Sequence, residues 1–183
     1  MSELFCGVDE AGRGPLAGPV AAAAVILPHS FPVELLADSK KLTPRQRLSL
    51  ERLIKVQAFA WALGWAWPEE IDRTNILKAS LLAMQRAILD LGLKPDLIYV
   101  DGPFAPPCPY KTEPVIGADH KIPQVMAASI LAKVARDRFM ERYARIEPAY
   151  QYERHKGYPT QAHLRLLQEL GPSAIQRLSF RLR

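Results

Sequence analysis

The feature that most constrains this chain is the stretch 6–27, CGVDEAGRGPLAGPVAAAAVIL. A short apolar run leads into two adjacent carboxylates, Asp9 and Glu10. Gly12-Arg13-Gly14 follows, then a turn at 15–19 and a second apolar run. Two strand-like runs joined by a glycine- and proline-rich connection predict a hairpin with the acids at the end of its first strand. Side chains alternate along a strand, so Asp9 and Glu10 cannot both point the same way if the strand stays regular. One must reach a shared site sideways, or the strand must end or bulge there, which the glycines permit. Acids in that position need a compensating cation. Arg13 is the only one nearby, and a divalent metal is the natural supplement. Adjacent acids at a strand end are commonly just solvated turn residues; the glycine pair favours function, because consecutive glycine amides form a concave nest suited to a phosphate or a ribose hydroxyl. The glycines at 12, 14 and 18 break G-x-G-x-x-G spacing, and no Lys-Ser/Thr ending makes the stretch a P-loop.

No run reaches the roughly 18 apolar residues of a membrane span. Glu3, Asp9 and Glu10 stand where a secretory signal would be basic, so no such signal and no membrane association are expected. Cys6 and Cys108 are the only cysteines and lack metal-like spacing, which predicts free thiols and a cytoplasmic protein. Charge is unevenly spread. Residues 1–120 hold 12 Lys and Arg against 14 Asp and Glu; residues 121–183 hold 12 against 5. An acidic centre followed by a basic surface suits an enzyme acting on polyanions, although a merely solvated basic face gives the same count.

Along the chain, Thr43, Pro44 and Gln46 form a helix start, with the helix expected to about residue 54. Ser39, Lys40 and Lys41 stand just before it, where a hydroxyl and two ammoniums near a helix N-terminus suit phosphate and equally suit an exposed basic turn. Residues 57–67 predict a strand with Trp61, Trp65 and Trp67 on one face, for core packing ahead of base stacking. A helix is expected over 75–91, closed by Gly92. The buried strand 97–100 ends in Asp101-Gly102, and an acid at the carboxyl end of a central strand is a standard place for a site in an α/β sheet. Beside Asp9 and Glu10 it becomes a third carboxylate of a metal cage, and Asp119, after a short strand at 113–116, is the fourth candidate. A long helix over 123–146 carries Lys133, Arg136 and Arg138 as a basic flank, with Asp137 as a structural ion-pair partner. Thr160 caps a last helix ending near Gly171. Tyr158, between glycine and proline, is placed to stack on a sugar or base or simply to pack. Alternating strands and helices give an α/β layered domain.

Four segments together resemble the ribonuclease HII family: DEAGRGPLAGPV at 9–20, DSKKLTP at 38–44, ADHKIPQVMAASILAKVARDR at 118–138 and HKGYPT at 155–160. The resemblance spans essentially the whole chain. It implies a ribonuclease-H-like α/β fold, a mixed sheet flanked by helices, in a single domain over 1–183 with a helical C-terminal part at about 147–183. It implies that Asp9, Glu10, Asp101 and Asp119 ligate Mg2+ or Mn2+, two ions about 4 Å apart in such chemistry. By resemblance Gly12, Arg13, Gly14 and Tyr158 read a ribose 2′-hydroxyl, the group that separates RNA from DNA. Lys40, Lys41 and Lys133 are candidate phosphate contacts. The implied reaction is hydrolysis of the RNA strand of an RNA–DNA hybrid and cutting 5′ of a ribonucleotide embedded in duplex DNA, leaving 3′-hydroxyl and 5′-phosphate ends, by a monomer. The tail departs from the family ending: Ile175-Gln176-Arg177-Leu178 stands where a run richer in histidine and arginine is usual.

Three other readings stand beside this one. A hybrid-binding protein without catalysis would keep binding and show no cleavage. A type III ribonuclease H usually has an extra N-terminal domain, not expected where the signature begins at residue 6, and lacks this Gly-Arg-Gly form. A phosphatase for small substrates is disfavoured by the basic C-terminal part.

Overall fold

The computed structural model describes residues 3–36 and 42–181. Lys40 and Lys41 lie outside the described residues. The hairpin forms as the sequence indicates: β1 (Phe5–Ala11) pairs antiparallel with β2 (Val20–Ile26). Pairing stays regular through Asp9↔Ala23 and Glu10↔Ala22, so there is no bulge at the acids. Five strands follow the order β3-β2-β1-β4-β5, with β3 at Ala60–Ala66, β4 at Leu97–Asp101 and β5 at Thr112–Val115. The three strands on one side, β1, β4 and β5, run parallel, so their carboxyl ends open on one edge.

Small residues explain why helices approach so closely on both faces. All seven residues of β2, VAAAAVI, are buried. Ala22 and Ala24 join a core with α3 (Ile76–Leu89), whereas Ala23 and Val25 join one with α4 (Pro123–Tyr143). Gly7 is required under α4, since a Cβ there would come within 2.1 Å of the Gln124 carbonyl carbon. In the first core Ile98 is fully buried, and trimming such a side chain to Ala costs about 2–5 kcal/mol.

α1 (Pro44–Gln57) begins with the expected capping box between Thr43 and Gln46 and is tied to α4 by Arg138, which donates to both Glu51 oxygens at 2.9 and 2.6 Å. α2 (Pro68–Arg73) links β3 to α3. Trp65 stacks with Trp67, and both contact Phe139 of α4, so these aromatics pack against the protein itself. After α4, α5 (Tyr152–His155) and α6 (Gln161–Leu170, capped by Thr160) enclose a third core with Leu16, Ala17 and Met140. No helix among the described residues is long and apolar enough to cross a membrane.

Candidate active site

The parallel register of β1 and β4 brings the first two acids together. Val8 is paired with Val100, so the next residues, Asp9 and Asp101, stand side by side where the pairing of β1 with β4 ends; β1 itself continues to Ala11, past the strand end expected at the acids. Asp119 arrives from a short 3-10 turn, Ala118–His120, entered through Gly117 in the left-handed region at φ 70°. Its backbone N–H donates to Asp101 Oδ1 at 3.4 Å. Glu10 extends to the side: Arg13 Nη1 donates to its Oε1 at 3.2 Å, while its Oε2 is buried without a hydrogen-bond partner. Asp9, Glu10, Asp101 and Asp119 thus line one cavity of about 510 Å³.

Electrostatics there are unfavourable as they stand. Burial, then the charges of Glu10, Asp101 and Asp119, push the Asp9 carboxyl well above its ordinary range. Burial also raises Glu10, against the nearby Arg13 guanidinium, which lowers it. Among the described residues no three acid, histidine or cysteine side chains yet enclose a metal position. The donor set nonetheless fits a hard divalent cation. It is all carboxylate, it repels itself, and it includes a buried oxygen with nothing to bond.

The remaining wall carries the other sequence candidates. Gly12, Arg13, Gly14, Lys133 and Tyr158 all line the same cavity. Lys133 Nζ sits 5.6 Å from the Tyr158 ring centroid and donates to Asp137 at 2.8 Å, the ion pair foreseen for Asp137. The expected basic flank of α4 is corrected at Arg136. This residue is fully buried, and its guanidinium donates to the carbonyls of Pro19, Ala17 and Lys156 at 3.0 Å each. Arg47 of α1 and Ser129 of α4 also line the cavity. Neither was expected at the site: the capping box fixes where α1 begins without indicating that Arg47 looks toward the acids, and Ser129 reads as a small residue that lets α4 approach the sheet.

Comparisons with known proteins show the family and the fold. The family model for Ribonuclease HII matches residues 6–183. A curated Ribonuclease HII from Nitrosococcus oceani is 51% identical over 181 residues, covering 99% of this chain and 90% of the relative. The crystal structure of ribonuclease H2 from Pyrococcus horikoshii superposes with a TM-score of 0.81 at 27% identity, over 98% of this chain and 94% of that one. The ribonuclease HII in a PCNA complex from Archaeoglobus fulgidus gives 0.83 at 27% identity, over 98% and 96%. The five-stranded mixed sheet is accordingly a ribonuclease-H-like fold. The chain belongs to the ribonuclease HII family, nucleases of the ribonuclease H class.

Proposed function

We propose that this ribonuclease H hydrolyses the RNA strand of RNA–DNA hybrids and also cuts 5′ of single ribonucleotides in duplex DNA, leaving 3′-hydroxyl and 5′-phosphate ends. The observation that carries this reading is the convergence of acids far apart in sequence, Asp9, Glu10, Asp101 and Asp119, on one cavity whose rim holds the glycine nest and Tyr158. The four carboxylates would hold Mg2+ or Mn2+, two ions in this reading, which supply an activated water and charge relief at the phosphoryl oxygens when bound.

The protein's own groups do the recognition. Backbone amides at Gly12, Arg13 and Gly14 offer donors to a ribose 2′-hydroxyl and its phosphate. Tyr158 stands 3.8 Å from where a Cβ on Gly14 would lie, so its ring closes the other side of a slot suited to a sugar. Lys133 and Arg47 offset phosphate charge along the strand. Arg13, bonded to Glu10, keeps that carboxylate from turning into bulk water.

We read residues 1–183 as one domain acting as a monomer, its C-terminal part tied in where Gly157, Ile175 and Arg177 bond the 12–19 loop. Its two cysteines are free thiols, which fits work in the cytoplasm. The test is cleavage of duplex DNA containing one ribonucleotide, with and without Mg2+, with the cut mapped. The expected result is a metal-dependent cut on the 5′ side of the ribonucleotide; absence of any cut, or one elsewhere, overturns the reading.

A further inference from the structure

We propose that Arg177, in the tail that departs from the family ending, is a positioning residue that holds the Gly12–Gly14 amides in their substrate-reading orientation. Arg177 is fully buried, and its guanidinium donates to four loop carbonyls: Gly12 at 2.6 Å, Pro15 at 2.7 Å, Gly18 at 2.9 Å and Arg13 at 3.1 Å. Arg136 takes the carbonyls of Ala17 and Pro19 from the same loop. Two buried guanidiniums therefore hold the carbonyl oxygens of Gly12, Arg13, Pro15, Ala17, Gly18 and Pro19.

Peptide geometry turns this into a statement about recognition. No peptide bond among the described residues is cis, so each N–H points opposite the carbonyl that precedes it. With the Gly12 and Arg13 carbonyls drawn to Arg177, the amides of Arg13 and Gly14 face away from it. Gly12, Arg13 and Gly14 line the cavity and Arg177 does not, from which we infer that the amides are turned to the cavity side. The nest is thus shaped from behind by a residue that does not line the cavity.

The arrangement is held although it is electrostatically unfavourable. Among the described residues neither Arg136 nor Arg177 forms an ion pair with a carboxylate. Burial and then the neighbouring Arg136 charge pull Arg177 down to about 9. Isolated buried cations are retained only where their hydrogen bonds are fully used, and here they bond to loop carbonyls.

The tail is itself anchored. Arg177 N–H donates to the Leu16 carbonyl at 2.8 Å, and Ala17 bridges to Gln176. Just beyond, Asp72 of α2 accepts from the amides of Leu178 and Ser179 at 2.9 Å each and from the Ser179 hydroxyl. Asp72 therefore fastens the strap that presents Arg177, at a half-buried position that does not line the cavity.

This inference rests on the reading of the nest as the ribonucleotide reader. Its test compares kcat/KM on a duplex with a single ribonucleotide against kcat/KM on an all-RNA strand paired with DNA. A loosened nest loses the lone site, whereas a continuous RNA strand still offers ribonucleotides in shifted registers. Arg177→Gln should lower the ratio by about tenfold or more, the scale of small misplacements at a reacting centre. Metal-free affinity for plain duplex DNA should fall less than that ratio, since only the phosphate contacts of the nest act there. Asp72→Asn, which leaves the buried guanidinium in place, should lower the ratio in the same direction should Arg177→Gln not fold. Leu91→Ala, a core truncation far from the loop, serves as the stability control and should leave the ratio at the wild-type value. Arg177→Gln or Asp72→Asn lowering both substrates equally, as Leu91→Ala does, overturns the proposal. A wild type that cuts neither substrate removes the functional reading, and this inference with it.

Discussion

Asp101 stands beside Asp9 because Val100 and Val8 are partners in a parallel strand pair, and the pairing ends where the acids begin. Neither sequence position alone requires this. Together they place two buried or half-buried carboxylates at the same strand edge, with Asp119 bonded to the second through its amide.

That proximity has a pH signature. The Asp9 carboxyl is held above its ordinary 3.8 by burial and by its acidic neighbours. With a raised carboxylate pKa, the folded, metal-free protein keeps a proton that the unfolded chain has released. The contribution of this group is present below 3.8 and is lost as pH rises through the folded value. Divalent cation should relieve the loss. Mg2+ at about a hundred times its Kd should add about 2.7 kcal/mol, and the gain should shrink in acid as protons compete for the carboxylates. Thermal melts in EDTA and in Mg2+ across pH check this; a gain independent of pH speaks against it.

Gly12 and Gly14 should behave differently despite their shared motif. Gly12 has φ 99°, and a Cβ there would lie 2.0 Å from Arg136 Nε. Gly12→Ala should destabilise the fold, by about 1–3 kcal/mol from the backbone alone. A Cβ on Gly14 meets only the Tyr158 ring, at 3.8 Å. Gly14→Val should therefore fold normally while losing cleavage at a lone ribonucleotide more than general duplex affinity. Unfolding curves and cleavage assays on the two variants separate these outcomes, and equal losses of stability would contradict the assignment.

Acid should loosen the Tyr158 segment through a histidine pair. His155 and His163 stack with ring centroids 4.3 Å apart. His155 Nδ1 accepts from the Gly157 amide at 3.2 Å, and His163 bonds the Tyr158 carbonyl at 3.0 Å. Burial lowers both below the ordinary 6.5. The unfolded chain then takes up protons that the folded one refuses, so this stability is present above 6.5 and declines as pH falls through the folded values. Urea unfolding in Mg2+ between neutral and mildly acid pH should show that decline. His163→Phe should make it shallower; an unchanged slope would remove the pair from the explanation.

Binding should weaken steeply with added salt, because Lys and Arg displace counterions condensed on the nucleic acid. Lys133→Ala should lower affinity for hybrids of any sequence and reduce the salt slope by about 1. A salt-independent affinity, or a slope unaffected by the substitution, would take Lys133 away from the phosphates.

Much of the site was legible because short-range rules mark it. Two adjacent acids ahead of Gly12-Arg13-Gly14, and Asp101-Gly102 at the end of a strand, marked the candidate acids that line one cavity, and Thr43 and Thr160 capped their helices as expected. What the sequence could not reveal depends on long-range burial. Arg136 reads as one more basic residue on a helix until the 12–19 loop is seen to lie against it. Arg177 sits in a segment with no periodicity, 165 residues from the Gly12 carbonyl it holds. Side-chain direction was likewise hidden at Arg47 and Ser129, whose helices were foreseen without the faces they present.

The most direct measurement is cleavage of an RNA–DNA hybrid by Asp101→Asn in Mg2+ or Mn2+, alongside hybrid affinity without metal. If the acids of β1 and β4 share one cation site, turnover is abolished while binding stays close to wild type. Retained turnover by a folded Asp101→Asn protein would contradict the shared site.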